Sequence, residues 1–292
     1  MLVLDYLQET PASYYTLMGV LGLLIGSFLN VVIHRLPKML QQNWERECRM
    51  ILATPGAADE IPVTYNLIRP RSQCPHCQRM IKATENIPIL GYFLLRGHCS
   101  GCGKPISIRY PLVEAISGGI ALFLSWYFGF TAQAALALVL SWTLLALSMI
   151  DLDRQLLPDD ITLPLLWTGL LANLFGVFTD TESSLIGAMA GYGVLWSVFT
   201  AFRFVTGKEG MGYGDFKLLA ALGAWLGWQM LPQIIILASL CGAIVGLTLI
   251  LLRRHAMSRP LPFGPYLAAA GWLALILGRD LNTLYIRWAW TP

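Results

Sequence analysis

Residues 132–153 read AQAALALVLSWTLLALSMIDLD and contain the two features that decide the fold, a long apolar run and a carboxylate at its end. The nineteen residues before Asp151 carry no charge. A membrane-spanning helix needs about 20 mainly apolar residues, so this run can cross a bilayer. The whole 292-residue chain is 56% hydrophobic and only 13% charged. Soluble domains have roughly 25% charged residues, so the composition predicts a membrane protein that crosses the bilayer several times.

Apolar windows of this length recur along the chain and predict about eight transmembrane helices. They begin near Tyr14, Pro111, Ala132, Ile161, Ser184, Asp215, Gln233 and Phe263. The predicted fold class is therefore an all-α polytopic membrane protein with one small cytoplasmic insert. We expect a first transmembrane helix in residues 1–36, the insert in residues 37–109 and a seven-helix membrane domain in residues 110–292.

The basic residues predict the orientation of the chain. Residues 34–109 contain eleven of the twenty Lys and Arg residues, and Arg253, Arg254 and Arg259 form a second cluster between the last two spans. By the positive-inside rule, both basic segments face the cytoplasm. The net charge of +3 gives no reason to expect a nucleic acid partner, so the expected surroundings are the lipid bilayer.

Two aspartates, Asp151 and Asp215, are the candidate catalytic residues. Asp151 ends the third predicted span and Asp215 opens the sixth, within Gly212-Tyr213-Gly214-Asp215, so both are expected at the cytoplasmic face. Ionisable groups at membrane depth are costly and usually functional. Two neighbouring carboxyl groups cannot both ionise freely, so one keeps a proton. Such a pair supplies the acid and the base that an aspartyl protease needs.

Less specific interpretations of these acids remain open at this point. Asp215 could cap a helix, and Asp151 could lie in interfacial water beside Arg154. Asp153 competes with Asp151 for the catalytic role. The acids expected to be a helix cap and its neighbour at the start of the fourth span are Asp159 and Asp160.

Four cysteines have the spacing of a metal site. Cys74 and Cys77 form one Cys-x-x-Cys pair, and Cys99 and Cys102 form a second pair 21 residues later. Two such pairs resemble a zinc ribbon, in which four thiolates bind one structural zinc ion. Disulfides are disfavoured in a reducing cytoplasm, and redox-active thiols are the other alternative. Spare candidate ligands, better explained as loop residues, are His76 and His98.

Polar residues also mark the end of the first span, where residues 26–37 read GSFLNVVIHRLP. Asn30 lies on an otherwise apolar helix, so we expect it to donate an interhelical hydrogen bond. Arg35 is expected to anchor the helix at the membrane interface.

Taken together, these motifs resemble the prepilin peptidases of type IV pili and type II secretion. The motifs are Gly26 to Pro37, Arg71-Ser72-x-Cys-Pro-x-Cys, Asn86-Ile87-Pro88, Arg109-Tyr110-Pro111-x-x-Glu114, Asp151-Leu152-Asp153 with Leu157-Pro158-Asp159, Gly212-x-Gly-Asp215-x-Lys217 and Phe263-Gly264-Pro265. The resemblance implies an aspartic peptidase of the bacterial inner membrane, with one catalytic aspartate in each acidic motif, at Asp151 and Asp215.

The same resemblance implies the substrates and a second activity. Members of this family cut the short basic leader of type IV prepilins or pseudopilins after a glycine, at the cytoplasmic face. They then methylate the new amino terminus with S-adenosylmethionine, and no residue of this sequence indicates where that donor binds. The alternatives from other classes are a transporter, whose proton relay would use the carboxylates, and a zinc-stabilised assembly factor without catalysis.

Overall fold

A computed structural model describes residues 8–52, 65–252 and 261–290, and these form helices joined by turns, with two isolated β-bridges. The α-helices are α1 (Pro11–Ile51), α2 (Leu90–Leu94), α3 (Arg109–Phe128), α4 (Ala132–Arg154), α5 (Asp159–Leu174), α6 (Thr181–Thr206), α7 (Tyr213–Leu226), α8 (Leu231–Leu251) and α9 (Gly264–Trp290). Short 3-10 helices lie at Ala83–Asn86 and Trp228–Met230. The all-α prediction is confirmed. The predicted basic cluster of Arg253, Arg254 and Arg259 lies outside the described residues.

Within the described ranges, five helical segments are long and apolar enough to cross a membrane. They are Pro11–Ile51, Arg109–Phe128, Ala132–Arg154, Thr181–Thr206 and Trp228–Leu251. The predicted fourth and sixth spans form helices of only 16 and 14 residues, α5 and α7. The apolar part of α9, Gly264–Gly278, is also short. The chain is therefore a multi-pass membrane protein, and the number eight stays a prediction.

The chain divides into two compact units, Met1–Ala134 and Ala135–Pro292. In the first unit, α1 packs along α3, and Ser117 of α3 donates a hydrogen bond of 2.5 Å to the carbonyl of Gly22 in α1. Asn30 donates to the carbonyl of Tyr110 at 3.1 Å, which confirms the predicted interhelical bond. Helix α1 runs through the expected boundary at residue 36 to Ile51, and its 41 residues span about 60 Å at 1.5 Å each.

Arg35 does not act as a simple interfacial anchor, because its side chain is buried in the first unit. Its guanidinium donates to the carbonyls of Asn66 at 2.9 Å and Pro70 at 2.7 Å, and its carbon atom lies 5.8 Å from the centre of the Tyr65 ring. A planar fork of donors suits several carbonyls at once. Arg35 therefore fixes the segment that leads into the cysteine-rich insert.

The second unit is built around α7, whose side chains from Phe216 to Leu226 are almost all buried. Helices α5, α6 and α9 pack against it, and a helix that is apolar on all sides belongs in such a core. A Cβ atom on Gly187 of α6 would overlap the backbone of Gly223, so α6 and α7 touch backbone to backbone. Since α7 is surrounded by protein, it does not need the length of a lipid-exposed span.

Candidate active site and metal-binding cluster

Asp151 lies in the last turn of α4 and is buried, with 5% of its surface exposed. Its Oδ2 atom accepts a hydrogen bond of 3.0 Å from the backbone N–H of Gly264, the first residue of α9. The bond joins positions 113 residues apart. Asp151 is therefore held inside the second unit, which rules out the interpretation that it lies in interfacial water beside Arg154.

Asp215 lies in the first turn of α7 and is also buried, with 8% exposed. The residue at the N-cap position is Gly212, and the Asp215 carboxyl group, three residues later, accepts a hydrogen bond from the Gly212 backbone N–H. Asp215 is therefore not the N-cap residue itself, although its carboxyl group does contact the backbone at the start of α7. The carboxyl groups of Asp215 and Asp151 interact electrostatically, so the fold brings the two predicted catalytic groups into one neighbourhood.

Leu157, in the link between α4 and α5, is buried and lies against Gly214 and Gly264, the two glycines beside the acids. A Cβ atom on Gly214 would lie 2.8 Å from the Leu157 Cβ, and one on Gly264 would lie 2.7 Å from the Asp151 Oδ2. Both distances are shorter than any normal carbon contact. The two glycines therefore let the starts of α7 and α9 approach the end of α4, and this approach forms the site.

The neighbouring acids have other environments. Asp153 and Asp160 are exposed, so Asp153 lacks the burial of its competitor Asp151. Asp159 and Asp160 are predicted to be the cap of α5 and its neighbour. The N-cap residue is instead Pro158, which makes no side-chain capping bond. Both carboxylate oxygens of Asp159 instead accept from Lys217 Nζ at 2.7 Å. This bond ties the start of α5 to the first turns of α7, beside Asp215.

The sequence alone predicts no role for Gly264, although Phe263-Gly264-Pro265 is one of the motifs that carry the family resemblance. Its contact with Asp151 depends on how α9 packs, which no spacing rule encodes. A glycine followed by proline at a helix start was the available signal, since such a pair permits a close backbone approach. That signal indicates a tight turn and does not identify its partner.

The four predicted thiol ligands come together in the first unit. The sulfur atoms of Cys74, Cys77, Cys99 and Cys102 all lie within 4.8 Å of one another. The Cys74–Cys102 and Cys77–Cys99 sulfur pairs are each separated by 3.9 Å. Four sulfurs placed at 2.3 Å around a tetrahedral zinc ion are about 3.8 Å apart, so the cluster fits such an ion. All six cysteines of the chain are free thiols, so the disulfide alternative is excluded here.

The two cysteine turns repeat the same backbone pattern. The N–H of Cys74 donates to the carbonyl of Arg79, and the N–H of Cys99 donates to that of Lys104, five residues later in both cases. Gln78 and Gly103, the residues after the second cysteine of each turn, both have positive φ angles, of 57° and 68°. Backbone N–H groups of Cys102 and Gly101 lower the pKa of the Cys99 thiol to about 6, whereas desolvation and the neighbouring cysteines raise that of Cys77 to about 11. Cys99 is therefore the thiol of this pair that forms a thiolate, the form that binds metal, more readily.

A polar network joins the two turns and was not predicted. Glu85 accepts from the Arg79 guanidinium at 2.9 and 3.2 Å, from the Ser100 hydroxyl at 2.7 Å and from the Lys82 N–H at 3.0 Å. Arg79 follows the first cysteine pair and Ser100 lies inside the second. The Arg79 side chain, followed by these other donors, lowers the pKa of Glu85 to about 2. Glu85 therefore cross-links the two turns as an anion.

Comparison with known proteins identifies two regions of the chain. Residues 20–128 match the bacterial peptidase A24 N-terminal domain, and residues 138–247 match the type IV leader peptidase family. The chain is 54% identical to a prepilin leader peptidase/N-methyltransferase of Aeromonas hydrophila, over 98% of each chain. It is 52% and 51% identical to proteins of that name from Pseudomonas aeruginosa and Stutzerimonas stutzeri, again over 98% of each. No solved structure gives a significant match.

Proposed function

The chain belongs to the prepilin leader peptidase/N-methyltransferase family, and we propose that Asp151 and Asp215 are the two carboxyl groups with which it cleaves its substrates. As a member, it removes the leader from prepilins and methylates the amino terminus that cleavage exposes. Pilus biogenesis and protein secretion are the processes that this activity serves.

One observation carries the assignment of the aspartates. Among the described residues of the second unit, Asp151 and Asp215 are the only buried acids. They come from different helices and interact with each other, and burial of two carboxyl groups is too costly to persist for packing alone. The acids that lie close to Asp151 in sequence, Asp153, Asp159 and Asp160, are exposed.

The chemistry follows from one proton shared by two carboxyl groups. The ionised aspartate takes a proton from a water molecule, which attacks the scissile carbonyl carbon. The protonated aspartate stabilises the developing oxyanion and gives its proton to the leaving amine. The Gly264 N–H holds one oxygen of Asp151 in a fixed orientation, so the carboxyl group does not have to be ordered during the reaction.

The substrates are type IV prepilins and pseudopilins, and their basic leaders suit this end of the second unit. Asp160 exposes a carboxylate at the start of α5, while the charge of Lys217 is neutralised by the neighbouring Asp159. In this proposal the end faces the cytoplasmic side of the bacterial inner membrane, which the positive-inside rule supports. Cleavage then occurs on that side of the membrane.

The metal-binding cluster serves a structural role in this proposal. Cys74, Cys77, Cys99 and Cys102 would hold one zinc ion, which supplies a tetrahedral cross-link between the two turns. Four thiolate ligands leave no open position for a substrate or water. Methyl transfer uses S-adenosylmethionine as the donor, and the free amine that it requires exists only after the leader has been cut.

The test replaces each aspartate by asparagine, which preserves size and removes the acid–base function. Asp151→Asn and Asp215→Asn should each lower leader cleavage of a purified prepilin about as much as the double variant, because the two groups act as one unit. Asp153→Asn is the matched control and should keep most of the activity. Comparable cleavage by either single variant, at normal protein level in the membrane, would refute the aspartyl assignment. If Asp153→Asn abolishes cleavage and Asp151→Asn does not, the catalytic aspartate of this motif is Asp153.

A further inference from the structure

An exposed apolar surface lies between the two cysteine turns, on helix α2. Leu90, Phe93 and Leu94 have 59%, 69% and 73% of their surfaces exposed. Gly91 is buried and Tyr92 is half-buried against Gly97, so the helix has an inner face and an outer apolar face. Three large apolar side chains that share an outer face indicate a surface covered by something else.

The backbone of α2 is held in place from two sides. Gly91 lies directly on the carbonyl of Glu85, where a Cβ atom would overlap it. Ile89, just before the helix, has a φ of 61°, a conformation that β-branched residues rarely adopt. Its N–H donates to Oε2 of the buried Glu114 at 2.7 Å. These two contacts fix the orientation of α2, so its apolar face points outward as a defined feature of the fold.

The bond to Glu114 sets the depth of α2 relative to the bilayer. The 20 residues of α3 extend about 30 Å, which matches the thickness of the hydrocarbon core. Glu114 is five residues beyond Arg109, so it lies about 7 Å inside the end of this span. Since Ile89 bonds to Glu114, α2 begins beside the first turns of this candidate span, close to the boundary between the hydrocarbon core and the headgroups. The same end of α3 also exposes apolar side chains, Leu112 and Ile116.

The charge of the cysteine-rich part of the insert, residues 65–109, also favours contact with the lipid bilayer. Residues 65–109 contain seven Lys and Arg residues and a single acid, Glu85, which is already bonded to Arg79. A basic surface is attracted to anionic lipid headgroups. The same charge repels a basic prepilin leader, which argues against the substrate as the occupant of this surface.

We propose that α2 is a monotopic membrane anchor, whose Leu90, Phe93 and Leu94 side chains insert into the interface of an anionic bilayer beside the start of α3. The metal-binding insert then lies flat on the membrane surface. The two cysteine turns flank this anchor in sequence, so the metal site is fastened to the bilayer on the side of α2. The inference does not depend on the catalytic assignment.

Photo-crosslinking in the full-length protein tests the contact directly. The photoreactive amino acid p-benzoylphenylalanine replaces Phe93 in one variant and the exposed Lys104 of the second cysteine turn in the control. Both proteins are placed in vesicles of phosphatidylethanolamine and phosphatidylglycerol and irradiated, and lipid adducts are quantified by mass spectrometry. We expect at least a tenfold higher yield of acyl-chain adduct at position 93 than at position 104. Replacing phosphatidylglycerol by phosphatidylcholine should reduce that yield.

The alternative occupants give different products. Equal lipid yields at positions 93 and 104 would refute the proposal. A crosslink from position 93 mainly to a second copy of the chain would show a protein interface instead. A crosslink that forms mainly to added prepilin would show a substrate surface. Bound zinc and leader cleavage at the level of the unmodified protein establish that both variants are folded, so that a low yield at position 93 counts against the anchor.

Discussion

The metal-binding cluster and the carboxyl pair differ in how the chain builds them. The cluster joins ligands at most 28 positions apart, and each half is one short turn with its own hydrogen bonds. The carboxyl pair needs the end of α4, the start of α7 and the start of α9, and one of its bonds joins residues 113 positions apart. A local site can be read from spacing, whereas a long-range site exists only after helices have packed.

The strongest way to separate the two sites is to disable one and assay both reactions. Asp215→Asn should lower prepilin cleavage by about 10⁴-fold or more, as expected for loss of one member of a catalytic unit. The variant should still methylate a synthetic pilin peptide that already has the mature amino terminus, and it should keep its zinc. Labelled S-adenosylmethionine measures the methylation. If a folded, zinc-loaded Asp215→Asn protein fails to methylate this peptide, one shared site performs both reactions.

Removing thiol ligands breaks the local site instead. The Cys74→Ser/Cys102→Ser double variant removes one ligand from each turn, so zinc content should fall from one ion per chain to about a tenth of that or less, because the two turns then share only two ligands. Elemental analysis of protein purified without chelator measures the content. Cys241→Ser, which changes an exposed thiol outside the cluster, is the control. Full zinc retention by the double variant would contradict the four-thiolate site.

The long-range site can be disturbed without touching an acid. Gly264→Ala places a Cβ atom 2.7 Å from the Asp151 Oδ2, so the carboxyl group or the start of α9 must move. A displacement of this size should reduce kcat for leader cleavage by about 10- to 100-fold. Gly193→Ala is the matched control, since a Cβ atom there meets nothing within 4 Å. Unchanged kcat in Gly264→Ala would show that the Gly264 contact does not position Asp151.

A smaller effect is expected from Glu85, which links the halves of the metal cluster. Glu85→Gln keeps the shape but loses the ionic bond to Arg79, so zinc should pass to a chelator several-fold faster. The pKa of Glu85 is depressed to about 2, so its contribution is complete above about pH 4.5 and is lost as the pH falls towards 2. The difference between the two proteins should therefore be constant from pH 5 to 7. Equal release rates over this range would leave Glu85 without a role in zinc retention.

The smallest effect compares the two cysteine turns with each other. Gln78 and Gly103 occupy equivalent positions with positive φ, where glycine avoids a cost of roughly 1 kcal/mol. Gln78→Gly should therefore raise the resistance of the insert to thermal unfolding, and Gly103→Gln should lower it. Thermal unfolding of each zinc-loaded variant, followed by circular dichroism, measures both shifts in the unfolding temperature. Shifts of the same sign would show that the backbone repeat does not control stability.

These differences explain what could be predicted from the sequence. Composition and apolar windows predicted the helical membrane fold, and the cysteine spacing predicted the thiol cluster. The acids themselves were predictable because charge is rare in such segments. The short α7 was not, since a window of apolar residues does not reveal that Gly227, with a φ of 86°, ends this helix after Leu226. Gly264 and Glu85 were missed because their partners are set by packing.

The backbone contact between Gly187 and Gly223 limits which amino-acid substitutions this protein can accept during evolution. Either residue can be replaced only if α6 and α7 separate, since even a methyl group would overlap the facing backbone. Separation would shift α7, and with it Asp215. A library of single substitutions should therefore contain no functional variant at either position, even as alanine. Neither glycine can therefore be replaced by a single substitution that preserves function. Residues on the lipid-facing surface of the helices are not restricted in this way and can be substituted more freely.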